Sequence, residues 1–483
     1  MSEPLRNSNA FITKFLFAVL LFICLAFILY FFSSGNLVGG LPFAAIPFVA
    51  IYLYIIFINP IVGFASAFVA NYFVMGIARY LPGPLGLAVD GLLVLTWLSV
   101  VFSQFNKNVD WKNAANGLTF LSVVWFAYAL LQLFNPEARS REAWFYAMRG
   151  VSFYMFLTIP LVFILFNHPK YLNKMIKLLA WFTLLAVAKG MMQKYIGPDP
   201  WEQRWLNVIG GKTHLLPGGL RVFSFFTDSA TYGGSMGFAG VVYIIIASYT
   251  KEKRLKIFYA ITGFAAIYAM FISGTRGALA VPLAGFAFFA VLSKQIKTLI
   301  ISGAVMMLFV GLLKFTTVGN SVYEIRRFRG GLDQNNDSFQ VRVENRKKFA
   351  AYLASRPFGG GIGSAGNWGL RFSPGTFLAE TPPDGWYIQI WAEQGIVGLY
   401  LHIFILIYIV GTSSFISMFR LQNTDLKGKA NGLISGLVGV IAASYSSSAL
   451  GQMPNGIIIY TSIAFVYMMP HWEKKYLNTS DTD

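Results

Sequence analysis

The sequence predicts an all-α, polytopic integral membrane protein with about 12–14 transmembrane helices and a large external loop containing an amphipathic helix. Three observations carry that reading. Of 483 residues, 56% are apolar and 12% are charged, roughly half the charged share of a soluble domain. The apolar residues fall in unbroken blocks close to the ~20 residues that a spanning helix needs. The blocks do not alternate apolar and polar positions, as the strands of an outer-membrane barrel would. A soluble enzyme, a disordered chain, a disulfide scaffold and a coiled coil are thereby excluded. The formal net charge of +18 sits on a chain whose first partner is a lipid bilayer, and no nucleic-acid partner is expected.

Fourteen candidate spans follow in order: 11–32, 41–58, 62–80, 85–103, 117–134, 150–166, 178–196, 233–249, 257–273, 278–293, 298–315, 386–411, 432–449 and 456–470. The first lacks a small-residue cleavage site and reads as a retained helix. Cys24 lies in it without a partner cysteine. Only Asn59–Pro60 separates the second and third spans, which leaves a helical hairpin or a re-entrant pair equally open. The expected divisions are N-terminal membrane helices (1–196), an external loop (197–232), central helices (233–315), a large external loop (316–385), and C-terminal helices with a tail (386–483).

Lys251, Lys253, Arg254 and Lys256 form the densest short basic connection, which the positive-inside rule assigns to the cytoplasm. Alternation then puts both termini inside and the loops 197–232 and 316–385 outside. On that assignment the inside holds fifteen lysines and three arginines, and the outside holds three lysines and fourteen arginines. Topogenesis treats the two residues alike. Arginine differs in its planar fork, which grips phosphate or carboxylate bidentately. Eleven external acids face seventeen external bases, so local pairing leaves a surplus that fits a bound anion. Pairing and lipid headgroups are the plain alternative.

Several segments can carry chemistry. Ser273-Gly274-Thr275-Arg276-Gly277 is a tight external turn that would hold the Arg276 guanidinium at the membrane surface, unless Arg276 merely snorkels from a helix end. The loop 197–232 closes with Arg221 about a dozen residues before the next span. Its Trp201 and Trp205 read as interfacial aromatics, and His214 as a solvated loop histidine.

In 316–385, Arg326, Arg327 and Arg329 precede two glycines, and a polar stretch runs from Asp333 to Ser338. Residues 339–355, with Arg342, Arg346, Lys347, Lys348, Phe349, Tyr352 and Leu353, read as an amphipathic helix along the membrane. It stops at Arg356-Pro357. Gly359 to Gly363, including Gly361 and Gly363, reads as a flexible turn whose amides could approach a ligand. No Walker lysine or preceding strand makes it a nucleotide loop. Asp384 stands at a helix start, where it is a good N-cap. Gln389 and Glu393 lie one turn apart inside the next span. Like Lys189 and Asp90 they either pair with other in-membrane charges or face a cavity. No metal-ligand spacing is present, and no cofactor is expected.

Four of these stretches, in this order, resemble the O-antigen ligase/polymerase superfamily of bacterial membrane glycosyltransferases. They are the region of Arg221, the Ser-Gly-Thr-Arg-Gly turn, the segment from Arg342 through Arg346 and Arg356 to Gly363, and the run from Asp384 through Gln389 and Glu393 to Gly398. The resemblance implies a GT-C-like helical fold in the bacterial inner membrane and a periplasmic site. It also implies an undecaprenyl-diphosphate-linked glycan as donor and a glycan, lipid or protein hydroxyl as acceptor. It gives Arg221 and Arg276 the donor diphosphate, without a metal.

In one place the chain departs from the ligases. Where they carry a histidine as presumed base, this chain has Asp384 followed by Gly385, while His214 and His402 stand elsewhere. The departure favours a polymerase over a ligase to lipid A-core or protein. A transporter or flippase of lipid-linked or anionic substrates is the reading from another class. Internal repeats and broken helices would signal it, and the sequence displays neither. A receptor or scaffold in envelope assembly would not need Arg276 at the bilayer surface.

Overall fold

The computed structural model describes residues 37–294 and 314–477, apart from 82, 107–108, 217–218, 322 and 331–336, and scattered positions between 19 and 33 and between 300 and 312. The chain runs through α1 (Leu37–Ile58), α2 (Pro60–Ile77), α3 (Gly86–Asn106), α4 (Gly117–Leu131), α5 (Arg141–Leu165), α6 (Pro169–Tyr195), α7 (Ser229–Tyr249), α8 (Lys253–Ile272) and α9 (Arg276–Ser293). It continues through α10 (Tyr323–Gly330), α11 (Asp337–Leu353), α12 (Gly366–Phe372), α13 (Trp386–Phe415), α14 (Thr424–Ala443) and α15 (Asn455–Trp472). Among the described residues, nine helices, α2 to α9 and α13, are long and apolar enough to cross a membrane. The only strands described are Leu215–Leu216 and Gly219–Leu220, paired antiparallel. The chain is an all-α, polytopic membrane protein.

Two compact units are present: residues 1–67 with 91–109, and residues 68–90 with 110–483. In the first, Ser99 Oγ donates to the Ile56 carbonyl at 2.7 Å. Only Asn59 is left between α1 and α2, fewer than the 2–5 residues that join a packed helical hairpin. The Asn59 amide still bonds the Ile55 carbonyl at 2.9 Å, so the helical turn of α1 runs on up to Pro60.

The second unit contains all the candidate site residues. At its centre lies α7, most of which is buried. Gly233, Gly237 and Gly240 on its surface let neighbouring helices approach closely, the usual device where lipid leaves no hydrophobic drive between helices. α14 and α15 occupy the positions of the last two expected spans, but they carry buried polar groups such as Lys429, Asn431, Ser435, Asn455 and Thr461. Surrounding protein, rather than lipid, solvates these groups. Of the expected span 11–32 the described part is chiefly the short apolar helix Leu21–Phe31, and 298–315 is described only in part.

Two of the charges expected inside the membrane, Asp90 and Lys189, are paired with charges from other segments. Asp90 meets Arg149 at 2.8 Å and the Tyr154 hydroxyl at 2.6 Å. Lys189 meets Asp199 at 2.8 Å and Glu202 at 3.1 Å. Pairing offsets the ~2.5–3.5 kcal/mol that a lone charge costs at mid-membrane.

One expectation about the spans fails. α13 is a broken helix: Gly395 has φ 68° and ψ −170°. The break opens on protein rather than on a channel. Gly360 N–H donates to the Ala392 carbonyl at 2.9 Å, and Val397 N–H to the Pro357 carbonyl at 3.3 Å. Tyr128 OH donates to the Gln394 carbonyl at 2.9 Å. A Cβ at Gly395 would lie 2.0 Å from the Pro357 carbonyl oxygen, so only glycine fits. The absence of a side chain lets loop backbone complete the hydrogen bonds that the helix forgoes.

Candidate active site

The turn between α8 and α9 is the meeting point. Gly274 takes φ 60°, which turns the chain sharply and aims the Gly274 carbonyl and the Thr275 side chain outward from the helix ends. Arg327 on α10 donates from Nε to that carbonyl at 2.6 Å. Arg221 donates from Nη2 to Thr275 Oγ1 at 2.9 Å and from Nη1 to the Thr213 carbonyl at 3.0 Å. Arg276 follows directly and donates to the Gly330 carbonyl at 3.3 Å. Three arginines separated by up to a hundred residues in the chain thus share one turn.

The electrostatics of this cluster are unbalanced. Among the described residues neither Arg221 nor Arg327 forms an ion pair with an acid, and Arg221 Nε is buried without an acceptor. Burial, then the positive charge of Arg327, lower the Arg221 guanidinium to about 10. Asp228 pulls the other way, but its Oδ1 already caps α7 through the amides of Ala230 and Thr231. Positive charge gathered in this way is favourable when an anion accepts its hydrogen bonds.

Arg221 is held by its own loop. His214, expected to be solvated, is buried. Its Nδ1 lies 2.9 Å from the Gly210 carbonyl, and the Ser229 amide donates to its Nε2 at 3.3 Å. Burial pushes its pKa down, which keeps the ring neutral and able to accept from Ser229. Trp205 packs edge-on against His214 and tilted against Phe223, at 5.2 and 5.1 Å, and the Arg79 guanidinium lies 4.6 Å from its ring centre. Trp205 thus belongs to the loop's own core, whereas Trp201 is exposed.

The second half of the site comes from α11 and the start of α13. Asp384 does not cap α13. The cap position is Gly385, at φ 134°, and no side chain caps the helix. The Asp384 carboxylate turns to α11, where it meets Arg342 Nε at 3.7 Å and Asn345 Nδ2 at 3.3 Å. Arg276 feels the charges of Arg327 and Arg342, so Arg342 links the arginine turn to the carboxylate. Arg346, one turn further along α11, donates to the Tyr445 hydroxyl and stacks 4.4 Å from that ring's centre.

The apolar side of α11 does not face the membrane. Phe349 and Leu353 are buried against Leu378, Ala365 and Ala392, with Tyr352 and Phe377 alongside. The helix is an internal brace between the loop and α13.

Other expected site residues serve packing. Arg356 pairs with Glu137 at 3.3 Å and covers the Tyr352 ring at 4.2 Å. The glycine turn is buried rather than open. Cβ atoms at Gly361 and Gly363 would lie 2.6 Å from Ala138 Cβ and 2.5 Å from the Ala143 carbonyl oxygen. These positions seat the loop on the segment before and within α5. Gln389 Nε2 reaches Glu393 Oε1 at 3.4 Å, and Ser448 Oγ donates to Gln389 Oε1 at 3.3 Å. Glu393 is fully buried, and its Oε2 closes no hydrogen bond.

Arg327 is the residue the sequence reading left out of the site. It was visible only as one member of the 326–329 basic cluster; its contact with Gly274 depends on the loop folding back.

No curated protein matches the chain. Residues 261–403 match the family model described as O-antigen ligase. That stretch holds the arginine turn, Arg327, Arg342 and Asp384, and the match supports the resemblance read from the sequence: residues 261–403 are a domain of the O-antigen ligase/polymerase superfamily.

Proposed function

We propose that the chain is a glycosyltransferase of the bacterial inner membrane, with both termini cytoplasmic and its site on the periplasmic face. In this reading 197–232 and 316–385 are periplasmic, the latter capping the site, and 1–196, 233–315 and 386–483 form the membrane body. The donor is a glycan on undecaprenyl diphosphate, and the acceptor is a hydroxyl of another glycan. The observation that carries the reading is the convergence of Arg221, Arg276 and Arg327 on one turn, with Arg342 leading from it to Asp384.

The chemistry balances without further parts. The acceptor hydroxyl attacks the anomeric carbon while the sugar–phosphate bond breaks, and the bonding pair leaves on the diphosphate. The arginine forks stabilise the charge that grows there, the kind of contribution worth ~10²–10³ in rate per donor. The hydroxyl proton passes to the Asp384 carboxylate, which Arg342 and Asn345 orient without enclosing. A metal is not required for this step. A carboxylate in place of the ligases' histidine supports the polymerase over the ligase.

A gel of surface polysaccharide from a deletion strain tests the reading. Single repeats remaining on the acceptor indicate a polymerase. A bare acceptor, with lipid-linked polymer accumulating, indicates a ligase. In complemented cells, Arg276→Ala should abolish the ladder while the protein stays in the membrane. Arg276→Lys should be impaired because the fork is lost. A normal ladder from Arg276→Ala would remove the diphosphate clamp.

A further inference from the structure

Between α14 and α15 runs a short loop, Ser444–Ser448, that lies outside the matched stretch 261–403. It sits between the two halves of the site. On one side, a Cβ at Gly277, next to Arg276, would lie 2.4 Å from Ser446 Oγ. On the other, a Cβ at Gly385, next to Asp384, would lie 2.3 Å from the Tyr445 carbonyl oxygen. The Trp386 amide donates to the carbonyls of Ser444 and Ser447 at 2.9 and 3.2 Å. The loop is thereby fixed against both the arginine turn and the start of α13.

Tyr445 is the part of this loop that needs explaining. The residue is 57% exposed, although its backbone is wedged against Gly385. Arg346 covers the ring at 4.4 Å and donates to its hydroxyl. The exposed remainder of this oriented, electron-rich ring is open among the described residues. Such a face suits the apolar C–H face of a pyranose ring, as aromatic rings take up flat, partly apolar partners.

We propose that Tyr445 is a sugar-binding residue, whose free face holds a pyranose ring of the acceptor glycan between the Arg276 turn and Asp384. The inference rests on the glycosyl-transfer reading and adds the subsite for the acceptor. Arg346 acts as a positioning residue, fixing the ring from its far side and edge.

The test uses the full chain in nanodiscs, with lipid-linked glycan extracted from cells lacking the protein as both donor and acceptor. Transfer kinetics and saturation-transfer NMR of the glycan are measured for wild type, Tyr445→Ala, Tyr445→Phe and Tyr445→Trp. Stacking predicts that Tyr445→Ala raises the acceptor KM about tenfold with kcat nearly unchanged, and erases the NMR contacts to the sugar C–H protons. Tyr445→Phe and Tyr445→Trp should retain both. An unchanged acceptor KM in Tyr445→Ala would overturn the subsite. So would a Tyr445→Phe variant as damaged as Tyr445→Ala, because the hydroxyl and its bond to Arg346 would then be what matters. A wild type that binds the glycan through Tyr445 but transfers nothing would sink the enzymatic reading and leave the sugar contact standing.

Discussion

The two ends of α8 carry basic residues of different kinds and in different circumstances. Before Lys253, a polar cavity of about 530 Å³ is lined by Lys177, Lys251 and Lys429 together with Glu252 and Asp425. Its one buried lysine, Lys429, is paired with Asp425 and donates to Asn173 at 2.6 Å, while Lys177 and Lys251 lie in solvent. After Ile272, the arginines face one another across Gly274, and two of them have no acidic counterpart among the described residues. Both ends contribute to the net charge of +18. Only the second gathers forked donors against one another, with no acidic ion pair to Arg221 or Arg327 among the described residues. Charge that is paired or hydrated is a topology signal, whereas charge concentrated against its own repulsion calls for a ligand.

The comparison can be broken most decisively at the arginine end. Arg327→Ala, and separately Asp384→Asn, should each lower transfer on the order of 10²-fold. A rate within a factor of two of wild type for Arg327→Ala would make that arginine a turn support only.

A smaller effect should appear without any substrate. Inorganic pyrophosphate should raise the unfolding temperature by a few degrees, because an anion that binds only the folded cluster stabilises it. The Arg221→Ala, Arg327→Ala double variant should lose that shift. The response should fade as pH climbs past about 10, where Arg221 gives up its proton; a shift that persists there would assign the binding to other groups.

The smallest effect is expected at the other end. Lys429→Met should change transfer by less than about twofold, since the two ends are independent sites, while lowering thermal stability through the orphaned Asp425. A large loss of transfer with stability intact would erase the distinction between the ends.

Much of this was legible in the sequence because the responsible physics is local. Apolar block length revealed the spans. The arginine bias and the turn 273–277 singled out Arg276, and loop position singled out Arg221; the structure brings both to one turn. What stayed hidden depends on distant chain segments. Arg356 looked like a ligand residue until Glu137, more than two hundred positions earlier, took it. Gly361 and Gly363 looked mobile because glycine is permissive, yet here it is the lack of a side chain against Ala138 and Ala143 that matters. Asp384 looked like a cap because aspartate caps well, and the positive φ of Gly385 turned it away. The break at Gly395 had no signal beyond a single glycine in an apolar run.

That break has a practical side. Residues 386–394 are helical and continue into the span, but at the break the Ala392 and Gln394 carbonyls accept from Gly360 and Tyr128. They belong mechanically to the loop, as the last piece of a cassette whose seam is Gly395 and not the entry point Trp386. A chimaera that exchanges the loop should be cut at that seam. Splicing at Trp386 would graft a foreign loop onto a helical stub shaped to hold this one.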